Sequence, residues 1–339
     1  MCTRDRFGDA ALIQWLTLLL LLAATNASAA DRLPAFNADA ATFTVSGVSS
    51  GGYMAVQMHV AHSSRIGGVG ALAAGPYYCA QGSAWTAQYA CMSPGFWTPL
   101  PRLEALKNHT DRYAREGRID PTANLGKARV WLFSGTEDRT VKPEVVERLA
   151  GFYKLYGASA QLTQKPAGHA MVTEDAGNAC AATEPPFIND CDYDAAGELL
   201  KALINASPRA AKASGRVMAF DQQEFGGVSM GATGYAYVPA SCASERCRVH
   251  VAFHGCRQGA EEIGERFVRD AGYNRWADTN RLIVLYPQAV ARYVFWTFNP
   301  RGCWDWWGYS GSGYATRDAP QIRAVMAMVE RIATPPGAR

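Results

Sequence analysis

Gly47-Val48-Ser49-Ser50-Gly51 decides how this chain folds. The pentapeptide stands between a β-rich run at residues 42–48 and a helical pattern at 51–62. A G-x-S-x-G sequence in that setting reads as a nucleophile elbow, a sharp turn that exposes a serine at the carboxyl edge of a sheet. Glycines are needed because side chains would strike the adjoining strand and helix. Ser49 is therefore the candidate nucleophile. Ser50 fails in the same register, since residue 48 is valine rather than glycine. The rival reading is a Ser/Gly-rich turn with no chemistry.

A serine needs a base and an acid. Among the six histidines, His59 and His62 lie too far along the helix leaving the elbow to fold back. His109 is read as solvated, His250 lies inside a strand, and His254 belongs to a second motif. His169, in Pro166-Ala167-Gly168-His169-Ala170, follows a strand near 160–164 and is the candidate base. Asp138 follows the strand at 129–134 and can accept the imidazole N–H, fixing its tautomer. Glu137 competes locally and Asp175 from a distance. Ser49, Asp138 and His169 fall in the order that α/β-hydrolases use.

Beyond the elbow, short strands alternate with longer helical patterns, as in a mostly parallel central sheet with helices on both faces. Strands are expected at 68–73, 233–238, 248–253 and 282–286, and helices at 143–156, 194–206, 261–278 and 318–332. Too little chain precedes Ser49 to hold the early strands of such a sheet. The His-Gly loop that ordinarily lies upstream of the serine occurs instead at Phe253-His254-Gly255-Cys256. Circular permutation explains both facts, with the ordinary termini joined through a linker at 207–217. The final helix then stands where the element leading into the elbow strand belongs. Two separate domains would leave the nucleophile domain incomplete. The backbone N–H of Ser50 is one candidate oxyanion donor, and the His-Gly loop supplies the other.

The 339 residues are 48% hydrophobic and carry a net charge of +3, with no basic block, so a folded catalytic chain is favoured over a nucleic-acid binder. Arg4 and Arg6, the apolar run from Ala10 to Ala24 and the small residues Ala27-Ser28-Ala29-Ala30 have the form of a signal peptide, expected over 1–29. The run is shorter than the ~20 residues of a membrane span. The expected product is one domain, 30–339, secreted or periplasmic, monomeric and without stable membrane insertion. Its eight remaining cysteines fall into neighbours: Cys79 with Cys91, Cys180 with Cys191, Cys242 with Cys247, leaving Cys256 for Cys303. No cysteine or histidine cluster has metal-ligand spacing, and no metal or organic cofactor is implied.

The chain resembles the catalytic domains of extracellular poly(3-hydroxybutyrate) depolymerases of the permuted, single-domain type. The resemblance rests on Val48 to Ala55, Tyr237-Val238-Pro239, Phe253 to Gly259, Leu285 to Gln288 and Gly302 to Trp307. It implies Ser49 as nucleophile, Asp138 as orienting acid, His169 as base, and the Ser50 and Cys256 amides as oxyanion donors. It also implies a polyester or oligoester substrate. Related esterases acting on feruloyl or acetyl groups of plant polysaccharide share the His-Gly-Cys and Cys-Trp features, and an idle exported binding protein is the rival from another class. Four of nine tryptophans fall between Tyr293 and Tyr309. A Cys256–Cys303 bridge would pin that loop beside the oxyanion hole, which makes Trp304 and Trp307 candidate walls of the acyl cleft.

Overall fold

Asp39–Val48 forms β1, and its last six residues are all buried because neighbouring strands and helices cover both faces. Ser50–Ala61 follows as helix α1, buried along its whole length. The computed structural model describes residues 30–294 and 297–337. Among them, Asp31 onward groups as one unit. The expected signal peptide, Phe295 and Trp296 lie outside the described residues.

Four strands continue the first half of the fold or cap it locally: β2 (Ile66–Leu72), β3 (Arg129–Gly135), β4 (Ala160–Lys165) and the short β5 (Met171–Thr173). Two more short strands, β6 (Asn178–Ala179) and β7 (Ile188–Asp190), join β5 in a small separate sheet. The second half supplies β8 (Arg216–Asp221), β9 (Thr233–Val238), β10 (Arg248–Phe253) and β11 (Leu282–Tyr286). The main sheet runs β4-β3-β2-β1-β10-β11-β9-β8. Only β9 runs against the rest.

Helices α2 (Ala84–Tyr89), α3 (Leu103–Arg115), α4 (Pro143–Lys154) and α5 (Ala195–Ile204) belong to the first half, and α6 (Ala260–Ile263), α7 (Arg266–Asp270), α8 (Tyr273–Asn280) and α9 (Pro320–Ala333) to the second. Alternation along each strand divides the core into two layers. Ile283 and Leu285 of β11 pack with Val56, Leu149 and Val325 of α1, α4 and α9. Leu282, Val284 and Tyr286 of the same strand pack with Leu199 of α5 and Trp276 of α8 on the other face. This is the α/β-hydrolase arrangement, covered by helices on both sides.

The permuted order is visible where the chain ends meet. Phe36 and Ala38 donate their N–H groups to the Ile332 carbonyl, and Asn37 donates to that of Thr334. The last helix thus abuts the segment that enters β1, as the sequence argument required. The linker ends earlier than expected, because Arg216–Asp221 is an edge strand rather than connection. The helix expected at 261–278 is three pieces. Gly264 and Gly272 have φ values of +60° and +92°, a backbone that no continuous helix accommodates. Gly272 also approaches Ala196 closely, and a Cβ there would lie 3.2 Å from it.

Three histidines are structural. His59 contacts the Tyr153 hydroxyl at 2.8 Å, and His250 bridges Thr44 Oγ1 at 2.7 Å and Ser46 Oγ at 2.8 Å. His254 accepts the Ala289 N–H at 3.0 Å. Burial holds their pKa values down to about 3, 3 and 4 respectively. A depressed imidazole pKa means that the unfolded chain binds more protons below pH 6.5. Stability present above pH 6.5 is therefore lost as pH falls towards 4, each histidine steepening the fall by about 1.4 kcal/mol per pH unit. Urea midpoints measured at pH 7, 6 and 5 should decline accordingly; equal midpoints would show that these imidazoles are charged in the fold.

Candidate active site

The elbow is dictated by crowding. A Cβ on Gly47 would sit 2.3 Å from the Gly51 carbonyl oxygen, and one on Gly51 would sit 2.3 Å from the carbonyl oxygens of both Phe253 and His254. No side chain fits either place. Between them Ser49 adopts φ 57°, ψ −124°, a conformation costing about 1–3 kcal/mol for a residue with a Cβ. Two backbone bonds hold it there: its N–H donates to the Leu72 carbonyl at 2.9 Å, and its carbonyl accepts from Tyr53 at 3.0 Å.

Parallel pairing brings the other pieces to the same edge. Gly135 at the end of β3 lies opposite Lys165 at the end of β4, so the loops carrying Asp138 and His169 leave side by side. Oδ1 of Asp138 accepts the N–H groups of Thr140 at 2.8 Å and Val141 at 2.9 Å. Its other oxygen is thereby aimed at His169 Nδ1, 2.7 Å away. His169 Nε2 lies 2.9 Å from Ser49 Oγ. With a carboxylate at Nδ1, that nitrogen carries the proton and Nε2 is free to accept from the serine. Ser49 and His169 are 9% and 8% exposed, enough for an approaching substrate, whereas Asp138 is buried.

The competing acids are elsewhere. Glu137 points to solvent, and Asp175 pairs with Arg275 at 3.0 Å on the surface. His109 is not simply solvated as expected. It lies on α3 with its ring stacked 3.5 Å from that of Tyr78, and burial helps lower its pKa to about 4. A long loop carrying the small parallel sheet β5-β7-β6, which the sequence did not reveal, supports His169: Gly168 donates to the Cys180 carbonyl at 2.9 Å, and the His169 N–H to Thr183 Oγ1 at 3.0 Å. Nothing in the local sequence marks Thr183, because the contact spans fourteen residues across a turn.

Register also sets the second loop. Gly47 of β1 lies opposite Phe253 of β10, which brings Gly255 beside the elbow. A Cβ on Gly255 would lie 3.4 Å from that of Ser49. Neither the Ser50 nor the Cys256 N–H has a protein acceptor among the described residues, so both remain available donors. All four expected disulfides are present, and Cys256–Cys303 joins this loop to the tryptophan loop.

The tryptophans divide differently from expectation. Trp304 has no exposed surface and packs edge-on against Phe253, with ring centres 4.9 Å apart, so it backs the oxyanion loop and walls no cleft. Trp307 retains partial exposure, set edge-on to Trp306 at 5.7 Å. Trp306 is buried as well, its ring stacked at 3.9 Å on that of Tyr53 of α1, one turn after Ser49. Among the described residues no three His, Cys, Asp or Glu side chains group as a metal site requires.

The family described as Esterase PHB depolymerase matches residues 233–334. A poly(3-hydroxybutyrate) depolymerase of Delftia acidovorans is 42% identical over 91% of this chain, which spans 63% of that relative's length. A polyhydroxybutyrate depolymerase of Talaromyces funiculosus is 37% identical over 96% of this chain and 98% of its own. A crystal structure of PHB depolymerase from Penicillium funiculosum is 36% identical, with TM-score 0.82 over 89% of this chain and 98% of that one. A PHB depolymerase variant complexed with R3HB trimer matches equally well.

Two outcomes test the site geometry. Gly51→Ala should cost about 3 kcal/mol or more, because the carbonyls it strikes are backbone; an unchanged melting temperature would contradict the contact. Replacing Cys256 and Cys303 together by alanine opens a 47-residue separation. Loop closure over that span is worth up to about 4 kcal/mol. In the double variant, ester hydrolysis should fail at lower urea than far-ultraviolet circular dichroism does; coincident transitions would mean that the bridge supports only the fold.

Proposed function

The chain belongs to the poly(3-hydroxybutyrate) depolymerase family, and from that premise we propose that it is a serine esterase cleaving poly(3-hydroxybutyrate) or its oligomers. The observation that carries the reading is the unbroken relay from Ser49 Oγ through His169 to Asp138, with links of 2.9 and 2.7 Å. His169 Nε2 takes the serine proton while Oγ attacks an ester carbonyl. Asp138 holds the ring in that tautomer and stabilises the imidazolium that forms. The carbonyl oxygen, now negative, is received by the Ser50 and Cys256 N–H groups, each such donor being worth roughly 10²–10³ in rate. His169 then protonates the departing 3-hydroxyl oxygen, the ester C–O bond breaks, and the acyl group rests on Ser49. Water, deprotonated by His169 in the same way, releases the acid and restores the serine.

Several features favour a polyester as substrate. The relative complexed with R3HB trimer has this chain's fold along nearly its whole length. Trp307 keeps partly exposed aromatic surface on the Cys-Trp loop, suited to apolar stretches of an ester chain, while the stacked pair of Tyr53 and Trp306 lies buried behind it. Four disulfides suit an oxidising compartment, in keeping with a cleaved signal peptide over 1–29 and export as a monomer. Among the described residues no helix is long and apolar enough to cross a membrane.

Ser49→Ala should reduce turnover of amorphous poly(3-hydroxybutyrate) by roughly 10⁴-fold or more, with circular dichroism unchanged. Retained activity would remove Ser49 from the mechanism. Wild-type protein should release 3-hydroxybutyrate from amorphous granules much faster than ferulate from its methyl ester. The opposite ranking would assign the site to plant-polysaccharide esters.

A further inference from the structure

Gln258 is the fifth residue of the loop after β10 and is almost wholly buried. Its Oε1 accepts the Gly255 N–H at 2.6 Å. Its Nε2 donates to the carbonyls of Pro186 at 3.2 Å and Phe187 at 2.6 Å. The Phe187 carbonyl also accepts the N–H of Met171 at 2.8 Å, two residues after His169. One amide side chain therefore has one end on the peptide immediately before the Cys256 donor and the other on the long loop that carries the base. Phe187 itself sits at φ +55°, a conformation that needs fixed partners.

We propose that Gln258 is a positioning residue that locks the oxyanion loop to the His169 loop, so that the Cys256 amide and the imidazole keep one mutual geometry through the reaction. The proposal rests on the esterase reading above. These two loops are seventy-one residues apart in sequence at the Gln258–Phe187 contact. They carry opposite tasks, one receiving negative charge and the other moving a proton. Displacing a reacting group by about 1 Å can cost ~10²-fold in rate. A carboxamide suits the bracket because it offers an acceptor and two donors at fixed separation without charge. Methionine has similar length and bulk but supplies neither.

The test begins with fluorophosphonate titration of the wild-type serine. Wild-type protein that takes up no label overturns the esterase reading, and the bracket with it. Turnover of p-nitrophenyl butyrate is then expressed per labelled serine in Gln258→Met. The expected result is a loss of ~10- to 100-fold, lying in kcat with KM nearly constant. Inhibition by an alkyl trifluoromethyl ketone, which forms a tetrahedral oxyanion adduct, should weaken by the same factor. Wild-type kcat per labelled serine would overturn the proposal, as would activity lost only in proportion to labelled serine. Gln258→Glu gives a second route, since a protonated carboxyl retains one donor and one acceptor whereas the carboxylate has no donor. Its kcat should fall relative to wild type as pH rises through the carboxyl titration, and matching pH profiles would count against the bracket. Failure of both variants to fold assigns Gln258 to core stability and likewise overturns it.

Discussion

The contact on which the rest depends is the meeting of backbone with backbone where β1 turns into α1. Gly47 and Gly51 allow the turn to close on itself and on the carbonyls of Phe253 and His254. That closure makes Ser49 project from the sheet instead of lying in it. It also fixes the neighbour, because only the end of β10 can occupy the space, and β10 brings the His-Gly-Cys loop with it. Ser49 and the proposed oxyanion donors are thus set by one steric condition. Hydrogen bonding within the sheet sets the places of His169 and Asp138, through the register of β3 with β4.

Polar satisfaction around this edge is uneven: Asp138 and His254 are fully engaged, whereas the buried Ser50 Oγ and Trp304 Nε1 have no partner among the described residues. Both oxygens of Asp138 are engaged, three times by two loops, so the carboxylate has little freedom to rotate away from the imidazole. His254 uses its ring to hold the loop after β11, and its low pKa keeps that contact uncharged. The loop after His169 is tied by Cys180–Cys191 and by Asn189, which donates to the carbonyls of Cys180 and Ala182. Three of the bridges close short loops, with sequence separations of 5 to 12. The fourth is different in kind, since it connects two segments that flank the site.

What the sequence disclosed and what it hid follow from how far each signal reaches. The eight-stranded sheet was mostly legible because buried strands are continuous apolar runs, and β9, β10 and β11 fall where periodicity puts them. The positions of Ser49, Asp138 and His169 were legible as candidates because each follows a strand end, and the three side chains lie within hydrogen-bond reach of one another. β8 was not foreseen, its first two residues falling in the expected linker, because its exposed edge residues dilute the apolar pattern. The run at 261–278 read as one helix because spacing does not report φ at Gly264 and Gly272. Aromatic content located the Cys-Trp loop yet did not say which rings face outward. That depends on tertiary packing, which buries Trp304 and Trp306 and leaves Trp307 partly exposed.

The junction of the chain ends carries a practical consequence. Phe36 to Ala38 lie against the last turn of α9, at the start of β1, whereas Ser49 stands beyond its finish. Ten strand residues separate the two places, roughly 30 Å at about 3.3 Å per residue. A tether joined beside Phe36 or beside Thr334 would leave from the same corner, at the opposite end of β1 from Ser49. Anchored to a bead or a film by that corner, the molecule would present its elbow outward, with both attachment points out of the way of an incoming polymer chain.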